Sequence, residues 1–356
     1  MKALHLELKE LRERKELKLS QLVAQSGIDQ GLLSKYEHGV RDPSEKHIDI
    51  LAKIYEDNQG ELKKLWLAEK VAKLIYYHPE HLEILSVAES RVEYLVKSHS
   101  IELPEIPEII QPKIEEITEL KNKWNDQKPL NRTQLAKLKD YFKLENTYES
   151  NKIEGNTLTL QETHLVINEG ITIGGKSMRE HLEAINHNEA IDFIEDLVNG
   201  KEDFNKRTLL EIHRLILKSI DNENAGKYRN VPVRISGSKH EPPQPYLLEK
   251  LMEDYFVQYE LQKKRVHPVL LAAEMHERLV SIHPFIDGNG RTSRLVMNFI
   301  LLKHGYTVTS LKGDLNSRLS YYKALEEVQI NNSTLPFYEL ILKEVKNSLM
   351  AHLELI

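Results

Sequence analysis

The stretch HPFIDGNGRTSR, His283 to Arg294, decides how the rest of this chain is read. Just before it, apolar positions recur at helical spacing from Pro268 to Ile282. Pro284 disfavours helical backbone at the residue preceding it, so His283 is expected at a helix end. A second helix is expected from near Arg291 through SRLVMNFILLKHG, with Gly305 as its stop. Between the two helices Gly288 and Gly290 flank Asn289, so successive backbone N–H groups can face one anion with a helix dipole behind them. That is a phosphate cradle. Arg291 and Arg294 lie three residues apart on nearly one face, where two guanidinium groups can reach different oxygens of a polyphosphate. Asp287 adjoins the cradle, and a carboxylate beside phosphate oxygens is a usual holder of Mg²⁺, which shares ligands with its substrate. His283 is the nearby group whose pKa suits removal of a proton from an attacking hydroxyl.

Composition narrows the chemistry further. With Cys 0 there is no disulfide, thiolate metal site or cysteine nucleophile, so catalysis falls to His, carboxylates, hydroxyls or a hard metal ion. Hydrophobic residues at 40% and charged residues at 29% over 356 residues are the balance of a folded globular protein of two or three domains. No run of eighteen apolar residues occurs and the start, MKALHLELKELRERKE, is charged throughout; neither a membrane span nor a secretory signal is expected, and the compartment is expected to be cytoplasmic. A net charge of -6 argues against indiscriminate nucleic-acid binding, which needs a large surplus of Lys and Arg, and leaves binding by local patches open.

Residues 1 to about 65 read as short amphipathic helices separated by tight turns. A charged helical stretch follows, and the three prolines of IELPEIPEIIQP mark a linker, so 66–111 is taken as helical segment plus Pro-rich linker. Helical periodicity resumes from about Pro112 to Asn199, with a turn at NEGITIGGKS. The one strand signal is VPVRI, Val231 to Ile235, followed by the turn-rich SGSKHEPPQP, which suits a short hairpin.

The string from His283 to Arg294 matches the Fic family signature, HPFx(D/E)GNGRxxR, at every fixed position. The resemblance implies a mainly α fold: a Fic-type helical core with a short β-hairpin flap, preceded here by a small all-α domain. It implies transfer of AMP from ATP to a Ser, Thr or Tyr hydroxyl of a target protein, with His283 as general base and Asp287 holding Mg²⁺. Gly288, Asn289 and Gly290 would then cradle the phosphates, and Arg291 and Arg294 would contact the β and γ groups. Upstream, TYESNKIEGNT contains Ser150-x-x-x-Glu154-Gly155, which resembles the (S/T)xxxE(G/N) inhibitory motif of the same family. By that resemblance Glu154 pairs with Arg294 and competes with the γ-phosphate; in some relatives the equivalent glutamate also serves removal of AMP. Val231, Val233 and Ile235 occupy the place of the family's flap, which lines up the target by main-chain pairing. Arg318, Tyr321 and Tyr322 resemble a segment set against the adenine, where core packing is the competing use of the two rings, and Gln329 stands where relatives often carry Asn. The domains expected are thus 112–200 with the inhibitory helix, 201–345 as catalytic core and 346–356 as a C-terminal tail.

GIDQGLLSKYEHGVRDP, Gly27 to Pro43, resembles the second half of an XRE-type helix-turn-helix, assigning 1–65 to DNA reading. Asp29 can cap a helix whose Leu32, Leu33 and Tyr36 face inward. That leaves Gln30, Gly31, Ser34 and Lys35 outward, with amide, hydroxyl and ammonium groups suited to base edges and phosphates, in a homodimer on a two-fold operator. Three uses stay open: an AMP-transferase, a DNA-binding regulator using the fold as a nucleotide sensor, and transfer of another group such as UMP or phosphocholine. A protein-docking role for the first domain also stays open.

Overall fold

Helices begin where a short polar side chain is available to hold the free N–H groups of a first turn. Asp29 accepts from the backbone N–H of Gly31 and Leu32, Ser44 from His47, and Asp314 from Asn316 and Ser317. Thr159, Ser177 and Asn205 form reciprocal capping boxes with Glu162, Glu180 and Thr208. The computed structural model describes residues 3–57, 60–86, 88–89, 106–127 and 132–355, and the chain divides into two units, Met1–Ser100 and Ile101–Ile356.

The first unit contains α1 (Leu4–Arg14), α2 (Leu19–Ser26), α3 (Gln30–Glu37), α4 (Glu45–Tyr55) and α5 (Glu61–Ile75). Leu8, Leu22, Leu33, Ile48, Leu51 and Trp66 are buried together at its centre. Arg12 locks α1 to α3 with two parallel hydrogen bonds to Glu37, at 2.7 and 2.9 Å. A domain end at residue 65 is corrected: α5 continues to Ile75, and Trp66, buried in this core, donates its indole N–H to Pro43 O at 2.9 Å. Of the expected 66–111 linker region, residues 87 and 90–105 lie outside the described residues.

The second unit is built around α12 (Pro268–Ile282) and α13 (Asn289–Lys303), an antiparallel pair joined by the loop 283–288. Nearly every residue of α13 is buried, including Arg291 and Arg294, because other helices cover it on several sides. These are α7 (Arg132–Ile153), α9 (Met178–Asn199) and α10 (Lys206–Leu217). α8 (Leu160–Glu169) packs on α7 and α9, and α11 (Leu248–Gln262) on α12. On the far side α6 (Gln111–Asp126), α14 (Leu315–Asn331) and α15 (Leu335–Glu354) close the bundle.

Two expectations change here. The segment 346–356 is no tail: through Glu354 it is the last part of α15, with Leu349 fully buried and His352 stacked on Phe142. Leu349→Ala should cost about 2–5 kcal/mol, seen as a lower thermal midpoint by circular dichroism; a variant melting with wild type would restore the tail assignment. The hairpin over Val231–Ile235 does not form, and no strand occurs among the described residues. VPVRI runs extended with Val233 and Ile235 half-buried between exposed neighbours. The return segment, EPPQPY, contains Pro242, Pro243 and Pro245; prolines have no N–H to donate, so a ladder cannot close.

Candidate active site

His283 ends α12 in a left-handed conformation, φ 49° and ψ 57°, unusual for a residue with a Cβ. The surroundings impose it. Arg229, buried, donates Nε–H to His283 O at 2.8 Å, and its backbone N–H to Pro284 O at 2.9 Å. Its two remaining nitrogens bind Val231 O and Pro243 O at 2.9 and 2.6 Å, which ties the extended segment to the loop. The imidazole Nδ1 lies 3.2 Å from Val280 O, an acceptor, so Nδ1 carries the proton and Nε2 keeps its lone pair. Burial pushes the ring's pKa down to about 4, so the free base is the form present at neutral pH.

Gly288 and Gly290 are required for different reasons. Gly288 has φ +76° and an added Cβ would meet Ile216 at 3.2 Å. At Gly290 a Cβ would lie 2.3 Å from Glu154 Oε1 and 3.1 Å from Arg294 Nη1, so only glycine leaves space in front of both groups. Asn289 turns its side chain inward, accepting from Phe285 N–H at 3.0 Å and donating to Phe285 O at 2.9 Å. Its part in the cradle is therefore to hold the loop and to begin the helix, whose first N–H groups have no intrahelical partner. His213 supports the loop from behind: it stacks on Phe285, accepts from Gly226 N–H at 2.9 Å and donates Nε2–H to Asp287 O at 3.0 Å.

Arg294, buried, is held by α7. Its Nε donates to Ser150 Oγ at 2.9 Å, and Nη2 to Ser150 O at 3.0 Å and to Glu154 Oε1 at 2.7 Å. Nη1 has no partner. Burial raises the Glu154 carboxyl's pKa, yet Arg294 and Arg291 more than offset this and keep it below the usual carboxylate value. Gly155 follows with φ +95° and ends the helix. Arg291, 3% exposed at its side chain, lies between Glu183 and Asp287, each at 3.3 Å. Asp287 also accepts from Gly288 N–H at 2.6 Å and pairs with Arg179.

In front of His283, Gly290, Glu154 and Arg294 opens a cavity of about 630 Å³, lined also by Ile235 and Gln329. Tyr322 also lines it, with its hydroxyl donating to Ile153 O at 3.1 Å and accepting from Arg318 Nε–H at 3.1 Å. Tyr321 is buried, 3% exposed, with its hydroxyl 3.1 Å from His276 Nε2. It lines the floor of the same cavity. A second cavity of about 640 Å³, between α6, α14 and α15, has its lining lysines each paired with a glutamate, leaving no convergent donors for an anion.

Among the described residues no cluster of three metal-ligating side chains exists. A lone carboxylate at the mouth of an anion cradle nevertheless suits Mg²⁺, which takes most of its oxygen ligands from phosphates and water. Asp287, 40% exposed at its side chain, is the residue in that position. In the first unit Gln30, Gly31 and Lys35 are exposed at the start and middle of α3, Ser34 is half-buried, and Leu33 and Tyr36 face the core. Spacing did not single out Arg229, His213, Arg179 or Glu183: each is an isolated residue far along the chain from the loop it touches.

Residues 203–301 match the Fic/DOC family model and residues 8–56 a helix-turn-helix model. Among curated proteins, the protein adenylyltransferase Fic of Nematostella vectensis is 32% identical over 254 residues, covering 70% of this chain and 58% of that protein. The protein of the same name from Drosophila grimshawi is 40% identical over 173 residues, covering 48% of this chain and 35% of that protein. The chain thus spans little more than half, or less, of these relatives' lengths. Among solved structures, a Fic-domain-containing signaling protein from Bacteroides thetaiotaomicron is 30% identical with a TM-score of 0.61, covering 67% of this chain and 96% of that one. Fic-1 from C. elegans, residues 134–508, at 24% identity and a TM-score of 0.63, shares the fold over 99% of this chain and 98% of that one.

Proposed function

This chain belongs to the Fic/DOC family, and from that premise we propose that it transfers AMP from ATP to a hydroxyl of a target protein and is held in check by its own Glu154. The observation that carries the reading is the buried Arg294, whose Nη1 lies beside Gly290 of the cradle while Glu154 holds Nη2 at 2.7 Å. A guanidinium placed this way suits a terminal phosphate, and the carboxylate competes for it.

In the proposed reaction the hydroxyl oxygen attacks the α-phosphorus, its proton passes to Nε2 of His283, and the bond to pyrophosphate breaks. Transfer of this kind needs positioning and charge neutralisation more than covalent help, which Arg291, Arg294 and the α13 N-terminus supply. Asp287 would hold Mg²⁺ with the nucleotide; the ion's contribution is neutralisation of phosphate charge. The segment 231–240, whose Ile235, Ser236 and Ser238 line the cavity, is assigned to lining up the target, with Tyr322 and Gln329 toward the base.

The test compares label transfer to protein from ATP labelled at the α or the γ phosphate, using Glu154→Gly in cell lysate. Labelling from α that exceeds the wild-type level supports AMP transfer; no gain in α label overturns it, and the γ label that lysate kinases supply is the control. For the first unit we propose DNA reading by α3 as a dimer. Gln30→Ala with Lys35→Ala should abolish an electrophoretic mobility shift at a selected operator while leaving the helical spectrum intact; a retained shift would return the unit to protein docking.

A further inference from the structure

One ion pair at the loop has no use in the transfer chemistry. Arg179, in the first turn of α9, donates Nε–H to Glu183 Oε1 at 3.1 Å and Nη2–H to Asp287 Oδ2. The other Asp287 oxygen already accepts from Gly288 N–H at 2.6 Å and Arg291 Nη2 at 3.3 Å. Both oxygens of the carboxylate beside the cradle are therefore taken by donors, one of them a positively charged side chain that is half open to solvent. A divalent cation needs those lone pairs and is repelled by that charge.

The same clamp is joined to the segment that carries Glu154. Glu183 Oε2 accepts from Asn156 Nδ2 at 3.1 Å, and Asn156 N–H donates to Asn151 O at 3.1 Å where α7 ends. Asn156 Nδ2 also reaches Glu180 O at 3.0 Å. The residue two places beyond Glu154 is thus fastened to the turn of α9 that presents Arg179.

We propose that Arg179 controls metal access: it occupies Asp287 while Glu154 occupies Arg294, and Mg²⁺ binds with nucleotide only after Arg179 leaves. Glu183 couples the two events through Asn156. The inference rests on the nucleotide reading of the cradle, and its readout is binding, which proceeds whether or not AMP is transferred.

The experiment measures ATP affinity by calorimetry on the full chain, once with EDTA and once with saturating Mg²⁺; the ratio isolates the metal's contribution. Arg179→Ala should raise that ratio roughly three- to fivefold, the scale of a partly exposed ion pair. Arg179→Lys should fall between, since an ammonium keeps the charge without the fork that bridges two carboxylates. In a Glu154→Gly background the gain should shrink, because the segment holding the clamp is already released. An unchanged or smaller ratio in Arg179→Ala, with the helical spectrum intact, overturns metal control. Loss of affinity in EDTA makes Arg179 a phosphate ligand and overturns it also. An equal gain in the Glu154→Gly background overturns the coupling. A raised ratio in a chain that transfers no label would sink the transfer reading and leave this one standing.

Discussion

Glu154→Gly should raise AMP transfer at least tenfold over the wild-type chain. The carboxylate makes a charge-assisted bond to buried Arg294, a type of contact worth about 1.5–3 kcal/mol. Its side chain is 34% exposed, so screening places the effect toward the lower end of that range. Even so, the lower end converts to about a tenfold change in the productive fraction. Removing the side chain also clears the space in front of Gly290, where Oε1 now lies 2.3 Å from the position a Cβ would take. Ser150 still holds Nε and one Nη2 contact of Arg294, so the guanidinium stays in place after the substitution. The measurement is the initial rate of α-label transfer at fixed ATP and target. Equal rates in mutant and wild type would mean that the pair is structural.

His283→Ala in the Glu154→Gly background should lower the rate by about 10²- to 10⁴-fold, the contribution of a positioned general base, with ATP affinity unchanged. The imidazole hydrogen-bonds Val280 O, and the strained backbone is held by Arg229 through carbonyls that alanine retains. Loss of rate without loss of binding therefore isolates proton transfer. The pH dependence carries the same information. Burial pushes this histidine's pKa down to about 4, so the base form is full above that value and the rate falls as pH drops through it. A rate that instead falls through pH 6 to 7 would place the ring in a more solvated setting than the one described. A double mutant as fast as Glu154→Gly would remove His283 from the chemistry.

How much of this was legible depended on how local the physics is. The bounds of α12, the helix end at His283 and the stop at Gly305 came directly from proline, glycine and apolar spacing, because those act on their own and adjacent residues. The cap at Asp29 was readable for the same reason. The start of α13 falls at Asn289, slightly before the expected Arg291, since Gly288 with φ +76° is the residue that turns the chain. Where the reading failed, a non-local partner decided. VPVRI has strand composition but a proline-rich return segment.

By itself, then, the sequence determined the loop, its histidine, the cradle glycines and the residue types placed on each helix face, all products of short-range backbone restriction. Only the tertiary structure decided which of those groups meet. Glu154 reaches Arg294 across 140 residues, Arg179 reaches Asp287 across 108, and Arg229 holds His283 O across 54. Such pairs follow no spacing rule. The pair of Glu154 with Arg294, like that of Glu183 with Arg291, forms because burying α13 on several sides leaves its two arginines with protein carboxylates as neighbours in place of water, and a buried cation must be paired.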